Sequence, residues 1–270
     1  MKLFFQLTLS GIYKFFKNPR QRIFFKLALL YGGKQRYKDG KVKFEKFEFH
    51  IPDYQSFIWQ YKEIFVEEFY KFPCDTSTPL IYDCGSNVGS SCAYFKRLYP
   101  NSKIKAFEAD PNLVKYLKQN IEKNDLLNID IIDKAVWIDN NGIELNLEGA
   151  DGSSIYSSGE KQKIDSIRLK DMLDKETEID MLKMDIEGAE NQVVVDCGES
   201  LAKVKNIFIE YHSFIKFPQS LSQILGILEQ NNFRYFIRND APRNMPFYNK
   251  INKGNPSMDL QLNIFGYRYK

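Results

Sequence analysis

Only four cysteines occur in 270 residues, Cys74, Cys84, Cys92 and Cys197, and no two form a C-x-x-C pair. This spacing excludes an ordinary zinc ribbon, and a chain of this size needs no disulfide framework. We therefore read them as reduced core residues of a cytoplasmic protein. Histidine is scarcer still, with His50 and His212 alone. Long hydrophobic runs are missing. The charge-free run Leu3 to Tyr13 has eleven residues, too few to span a bilayer, and no small-residue cleavage site comes after it. Two nucleotide-binding fingerprints are absent as well. No G-x-G-x-x-G follows a strand, and no Lys–Ser/Thr pair follows a glycine turn to make a P-loop.

What is present is an ordinary globular composition, 43% hydrophobic and 27% charged, long enough to bury a sizeable core. Charge is unevenly spread. Residues 1–47 carry 12 Lys and Arg against Asp39 and Glu45, whereas the rest of the chain holds 26 basic and 33 acidic residues. Phe15, Phe16, Phe24 and Phe25 sit among these cations. Residues 1–35 thus have the character of an interfacial amphipathic segment that associates peripherally with a membrane. Packing of the same aromatics on the main domain is the plainer alternative.

The chain divides into an N-terminal extension, residues 1–79, and a main domain, residues 80–270. The extension combines a basic, aromatic, helical start with two short strands. These carry Val42 and Phe44, then Phe47, Phe49 and Ile51, and their phase slips at Glu45-Lys46. From Leu80 onward strands and helices alternate. Strands are expected at 80–84, 103–110, 129–137, 178–185 and 204–212, with a closing pair at 233–240 and 260–269. Asp110 as N-cap and Pro111 in the first turn open one helix, and another is expected over 188–196. Helical crossovers imply parallel pairing, and the closing pair places one antiparallel strand in the sheet.

The first strand runs into "DCGSNVG", where Gly85 and Gly89 make a close-approach turn before a helix. A turn of this kind without a phosphate cradle suits a ligand with a ribose and a compact charged group. Glu108 ends the second strand, where an acid accepts from ribose hydroxyls, and Asp133 ends the third, where it can accept from an exocyclic adenine amine. "KMDIEGAE" gathers Asp185, Glu187 and Glu190 after the fourth strand. His212 ends the fifth, two residues from Glu210 and on the same strand face. His212 is the candidate general base, oriented or charge-tuned by Glu210. Glu187 and Glu190 either meet the acceptor or satisfy amides at a helix start. A divalent metal on these carboxylates is conceivable, but we assign none.

"IYDCGSNVGSS", "IKAFEADPNLVKYLKQNI", "IIDKAVW" and "IDMLKMDIEGAENQVV…IFIEYH" resemble the FkbM-type family of S-adenosylmethionine-dependent methyltransferases over roughly residues 47–212. The resemblance implies a class I, Rossmann-like fold: a seven-stranded, mostly parallel sheet with helices on both faces. It places Asp83, Gly85, Ser86, Asn87 and Gly89 around the methionine part of the cofactor and Glu108 at its ribose. Ala109, Asp133, Ala135 and Asp185 complete the cofactor set. The family commonly O-methylates sugars, polysaccharides and secondary-metabolite hydroxyls, so the expected acceptor is a glycan hydroxyl. Asp185, Glu210 and His212 form the expected catalytic group. Glu187, Glu190 and, from the loop "DGSSIY", Ser153 and Ser154 are assigned to the acceptor. Two other classes compete with this one. A non-catalytic scaffold need not keep the turn, Glu108, Asp185 and His212 together. Nucleic-acid methylation lacks a D/N-P-P-Y/W signature, so no nucleic-acid partner is expected.

Overall fold

A computed structural model describes residues 17–146, 161–239, 243–250 and 257–268. Seven strands make the main sheet: β3 Leu80–Cys84, β4 Lys103–Phe107, β5 Ile129–Ile132, β10 Ile179–Met184, β11 Val204–Phe214, β12 Arg234–Arg238 and β13 Met258–Tyr267. Their order across the sheet is β12-β13-β11-β10-β3-β4-β5. Pairing is parallel from β11 through β10, β3 and β4 to β5, whereas β13 runs antiparallel to both β11 and β12. This is the mostly parallel sheet with one reversed strand that the resemblance implied. Every residue of β10 is buried, as a central strand covered on both faces requires.

Helices fill the crossovers. Those on either side of β4 are Ser90–Leu98 and Pro111–Lys123. The second opens with Asp110, whose side chain accepts from the Asn112 amide at 2.8 Å, and with Pro111 in its first turn. Glu190–Cys197 comes after β10 and Leu221–Gln230 after β11.

Three expected boundaries moved. "IDIIDKAVW" is two strands: β5 stays in the main sheet, and β6, Ala135–Trp137, turns away to pair in parallel with β9, Ser166–Arg168. Asp133 and Lys134 break the run, and the Ala135 amide donates to Asp165 O at 2.8 Å. β4 stops at Phe107: the Glu108 amide still donates to Ile132 O at 3.2 Å, but the Asp110 amide turns to the Glu108 side chain at 2.9 Å. The helix expected from 188 starts at Glu190, since Glu187 and Gly188 have φ of 54° and 101°, outside the helical region. Between β6 and β9 lies a further antiparallel pair, β7 Ile143–Asn146 with β8 Lys161–Ile164. Ser153 and Ser154 fall outside the described residues.

Ahead of the sheet, helix Pro19–Tyr31 is capped by Asn18, whose side chain accepts from the Arg20 amide. It buries Leu27. The strands β1 Gly40–Phe44 and β2 Phe47–Ile51 form the expected pair, with the chain reversing at Glu45. Helix Tyr54–Tyr61 continues into a π-turn, Lys62–Val66. Phe44 lies 5.2–5.4 Å, ring centre to ring centre, from Phe49, Phe57, Tyr61 and Phe65, and Phe65 meets Tyr94 of the main domain edge-on at 5.4 Å. These residues share one core with Ile81, Phe95, Ile104 and Met181. The free edge of β2 is closed by two side-chain amides, Asn120 of helix Pro111–Lys123 and Asn124, its C-cap. Asn120 accepts from the His50 amide (2.7 Å) and donates to the His50 carbonyl (2.9 Å), and Asn124 does the same to Glu48, at 2.9 Å each way.

Residues 1–16 lie outside the described residues, so of the segment 1–35 expected at a membrane only the part from Lys17 onward is seen. There, helix Pro19–Tyr31 packs Ile23, Phe24, Ala28 and Tyr31 toward the core, while Phe25, Leu29 and Leu30 remain exposed. Among the described residues no helix is long and apolar enough to cross a membrane.

Candidate active site

The carboxyl ends of β3, β4, β10 and β11 open into a cavity of about 880 Å³. The glycine turn forms its floor. The Gly85 and Ser86 amides both donate to the Phe107 carbonyl, at 3.0 and 2.9 Å, which fastens the turn to β4. Gly85 has φ +80°, and a Cβ placed there would lie 1.8 Å from the Asp185 carbonyl oxygen. Only glycine lets the two chain segments approach this closely.

Beneath the turn Asp83 is fully buried. Its Oδ2 accepts from Ser91 Oγ at 2.5 Å and from Cys92 Sγ at 3.3 Å. Lys183 stands beside it on β10, one register position across, with its Nζ 3.6 Å from Asp83 and 3.4 Å from Asp185. The ammonium also donates to the Cys84 and Gly85 carbonyls. Burial works against the charge, but Asp185 and Asp83 override it and raise the lysine pKa. Lys183 is not among the residues that the sequence marks for the site. Its signal was a lone cation within the apolar run "DMLKM", two residues from Asp185.

Glu108 is buried at the cavity wall. Its two oxygens accept from the Asn87 amide (2.8 Å) and the Asp110 amide (2.9 Å). Burial pushes its pKa up to about 7 despite those two hydrogen bonds.

The second group of acids surrounds His212. Nδ1 lies 3.2 Å from Glu190 Oε1. Glu190 is itself fixed by the Ile186 and Gly188 amides, at 2.8 and 2.9 Å, so it takes the helix-start role. Nε2 lies 3.7 Å from Glu187 and 3.9 Å from Glu210. Gln261 on β13, directly opposite His212 in the register, donates to Glu210. Burial pushes Glu187 well above the carboxylate range and Glu210 up to about 7. Burial would lower the imidazole, yet Glu190 and Glu187 hold its pKa well above 6.5.

The cavity collects most of the expected residues but not all. Gly85, Ser86 and Asn87 line it, as do Glu108, Ala109 and Ala135, and on the far side Asp185, Glu187, Glu210 and His212. Asp83 and Gly89 support the turn from behind and do not line the cavity. Glu190 is likewise behind His212, so it acts on the imidazole and not on the cavity. Asp133 is a correction. Its side chain is 60% exposed and pairs with Lys118 at 3.2 Å, because β5 ends one residue earlier and the acid turns outward. The N-terminal extension supplies a further wall: Arg36, Tyr37, Trp59, Gln60 and Glu63 line the same cavity.

A family model described as the methyltransferase FkbM domain matches residues 83–235, more than half of the chain. The chain belongs to the FkbM methyltransferase family. Among curated relatives of this FkbM chain, methyltransferase sdnD of Sordaria araneosa is 43% identical over 67 residues, 25% of this chain and 26% of that protein. The 2-O-methyltransferase NoeI of Sinorhizobium fredii is 29% identical over 153 residues, covering 49% of this chain and 63% of the relative. The FkbM chain therefore spans less than two thirds of the curated relatives it matches. A methyltransferase FkbM from Methylobacillus flagellatus KT superposes with a TM-score of 0.47 at 17% identity, over 74% of this chain and 46% of that one. A likeness at that level says nothing about this chain's site.

Proposed function

We propose that the protein transfers a methyl group from S-adenosylmethionine to a hydroxyl of a sugar in a polysaccharide, glycolipid or related glycoconjugate. The observation that carries this reading is one cavity joining the glycine turn and Glu108 to the Asp185–Glu187–Glu210–His212 group. The residues present fit the cofactor. Each Glu108 oxygen takes one backbone N–H and retains a lone pair for a ribose hydroxyl. Gly85, Ser86 and Asn87 form the turn that would take the amino-acid part, with Ala109 and Ala135 as small apolar surface beside it. When bound, S-adenosylmethionine supplies an already activated methyl group. This chain's residues must then hold the acceptor oxygen in line and handle its proton. Tyr37 and Trp59, exposed at the cavity mouth, offer faces on which a sugar ring can stack. The name of the relative NoeI, a 2-O-methyltransferase, supports a hydroxyl acceptor.

Calorimetric titration with S-adenosylmethionine tests the reading. Glu108 must be ionised to accept from hydroxyls, and its pKa is raised to about 7. Affinity is therefore expected to hold at pH 8 and to fall below pH 7, approaching about tenfold per pH unit. Glu108→Gln should bind weakly and without that slope. An affinity flat between pH 6 and pH 8 would remove Glu108 from the site. Formation of S-adenosylhomocysteine with sugar acceptors separates turnover from a scaffold that only binds.

A peripheral membrane position belongs to the same proposal. Leu29 and Leu30, 87% and 52% exposed, sit on a helix that also carries Arg22 and Lys26, a pairing suited to anionic lipid. The protein is expected to float with phosphatidylglycerol vesicles, and Leu29→Glu with Leu30→Glu to stay at the bottom of the gradient. Equal flotation of the two proteins would sink the idea.

A further inference from the structure

The N-terminal wall of the cavity is organised by one buried carboxylate, Asp53. Its Oδ2 accepts from the Tyr37 amide at 2.7 Å and from Arg36 Nε at 3.0 Å, and its Oδ1 accepts from the Ser56 amide at 2.8 Å. The last bond makes Asp53 the N-cap of helix Tyr54–Tyr61, which carries Trp59. One side chain thus joins the two segments that bring aromatic rings to the cavity. Burial opposes its charge, yet the Ser56 and Tyr37 amides and the Arg36 guanidinium hold its pKa below the usual carboxylate range.

Tyr37 is held under strain. Its φ of 56° is a left-handed conformation that glycine or asparagine adopts more easily. The ring gains little burial in return, since Tyr37 is 65% exposed, and Trp59 is 57% exposed. Each ring has a cation over one face, Arg36 at 5.0 Å from the centre of Tyr37 and Lys62 at 5.2 Å from that of Trp59. Both rings are therefore steadied without packing into a core. Strain of this kind gathers where a surface is shaped for a ligand. Arg36, Gln60 and Glu63 add polar groups to the same wall. Gln60 Oε1 accepts from Ser90 Oγ at 3.3 Å, so its NH₂ remains as a donor.

We infer that Tyr37 and Trp59 clamp one pyranose ring of the acceptor, and that Asp53 is the positioning residue that sets this clamp. The inference rests on the proposed methyl transfer to a sugar hydroxyl and adds which part of the chain selects the sugar. A pyranose has an apolar face of C–H groups and a rim of hydroxyls. Aromatic faces suit the first. Guanidinium, carboxamide and carboxylate are planar groups with at least two polar atoms each, and they suit neighbouring hydroxyls of the second. Asp185, Glu210 and His212 line the same cavity from the main domain. Selection of the sugar and handling of its reacting hydroxyl thus fall to different parts of the chain.

The test is retention of the full-length protein, with S-adenosylhomocysteine present, on a printed array of neutral and uronic-acid oligosaccharides. Glycans that are retained are then titrated in solution. Retention of a defined subset is expected. Trp59→Ala and Tyr37→Gly should each weaken glycan binding by about tenfold or more while leaving S-adenosylmethionine affinity unchanged. Tyr37→Gly should also hold or raise the urea midpoint, because it relieves strain at an exposed position, whereas a ring needed for packing would lower it. Asp53→Asn keeps an oxygen to cap Ser56 but loses the second acceptor for Tyr37 and Arg36. It should weaken glycan binding and spare the cofactor.

Glycan affinity unaltered in the three variants, cofactor affinity lost along with it, or a lowered midpoint in Tyr37→Gly would overturn the clamp. Cofactor binding by the unaltered protein with no glycan retained overturns the clamp alone. Retained glycans without cofactor binding leave the clamp and overturn the methyl-transfer reading.

Discussion

Replacing Gly85 with alanine is expected to destabilise the fold by on the order of 4 kcal/mol and to remove cofactor binding with it. Two costs combine. A side chain at φ +80° is strained wherever it sits, at about 1–3 kcal/mol. The added Cβ would also lie 1.8 Å from Asp185 O and 2.9 Å from Asp185 C, so backbone and not a flexible side chain has to move, at a further 1–3 kcal/mol or so. The sequence marks Gly85 as a point of close approach to a ligand. The geometry gives a different first cause, since the turn and the end of β10 are pressed together before any ligand enters. Urea denaturation reads the loss. Gly226→Ala is the control, because nothing lies within 4 Å of its added Cβ and it is helical, so it should be neutral or gain up to about 1 kcal/mol. Equal stabilities for the two variants would contradict the account.

Lys183→Met should cost about 3–5 kcal/mol, the range for breaking a buried ion pair on one side. Asp83 is fully buried and its Oδ1 has no hydrogen-bond partner, so the ammonium 3.6 Å away is its compensation. The variant would strand a carboxylate in the centre of the sheet. Adding Asp83→Asn to Lys183→Met removes that charge, and the pair should recover about 2 kcal/mol relative to additive losses. Strict additivity in the double-mutant cycle would mean that the two groups do not depend on each other. Lys183→Arg is not a rescue, because the planar, larger guanidinium cannot reproduce the donation to the Cys84 and Gly85 carbonyls.

The parts of this molecule that announce themselves in sequence are those governed by local pattern. β3, β10 and β11 are short apolar runs bounded by turns, and the helices between parallel strands follow from caps such as Asp110-Pro111. The end of β5 was hidden, because apolar residues continue on both sides of Asp133-Lys134 and periodicity does not register a change of partner. The same oversight misplaced Asp133. The shared face of Glu210 and His212 follows from strand alternation, and Glu210 does lie 3.9 Å from His212 Nε2. What they meet does not follow: Glu190 arrives from a helix 20 residues earlier than Glu210, and Gln261 from a strand 51 residues later. The wall built from Arg36, Tyr37 and Trp59 was illegible for the same reason. It depends on how an aromatic core seats the extension on the sheet, a long-range packing outcome that no window of sequence contains.

The pair Asn120 and Asn124 has a consequence for how this chain behaves among its own copies. A two-stranded ribbon with an open side is a template for association with any extended segment nearby. Here one turn of helix supplies two carboxamides that imitate the bonding pattern of a third strand, so the ribbon is finished without one. Shielding of that edge from other extended segments is thereby vested in two uncharged side chains, one of which also donates to the Val88 carbonyl of the glycine turn at 2.9 Å.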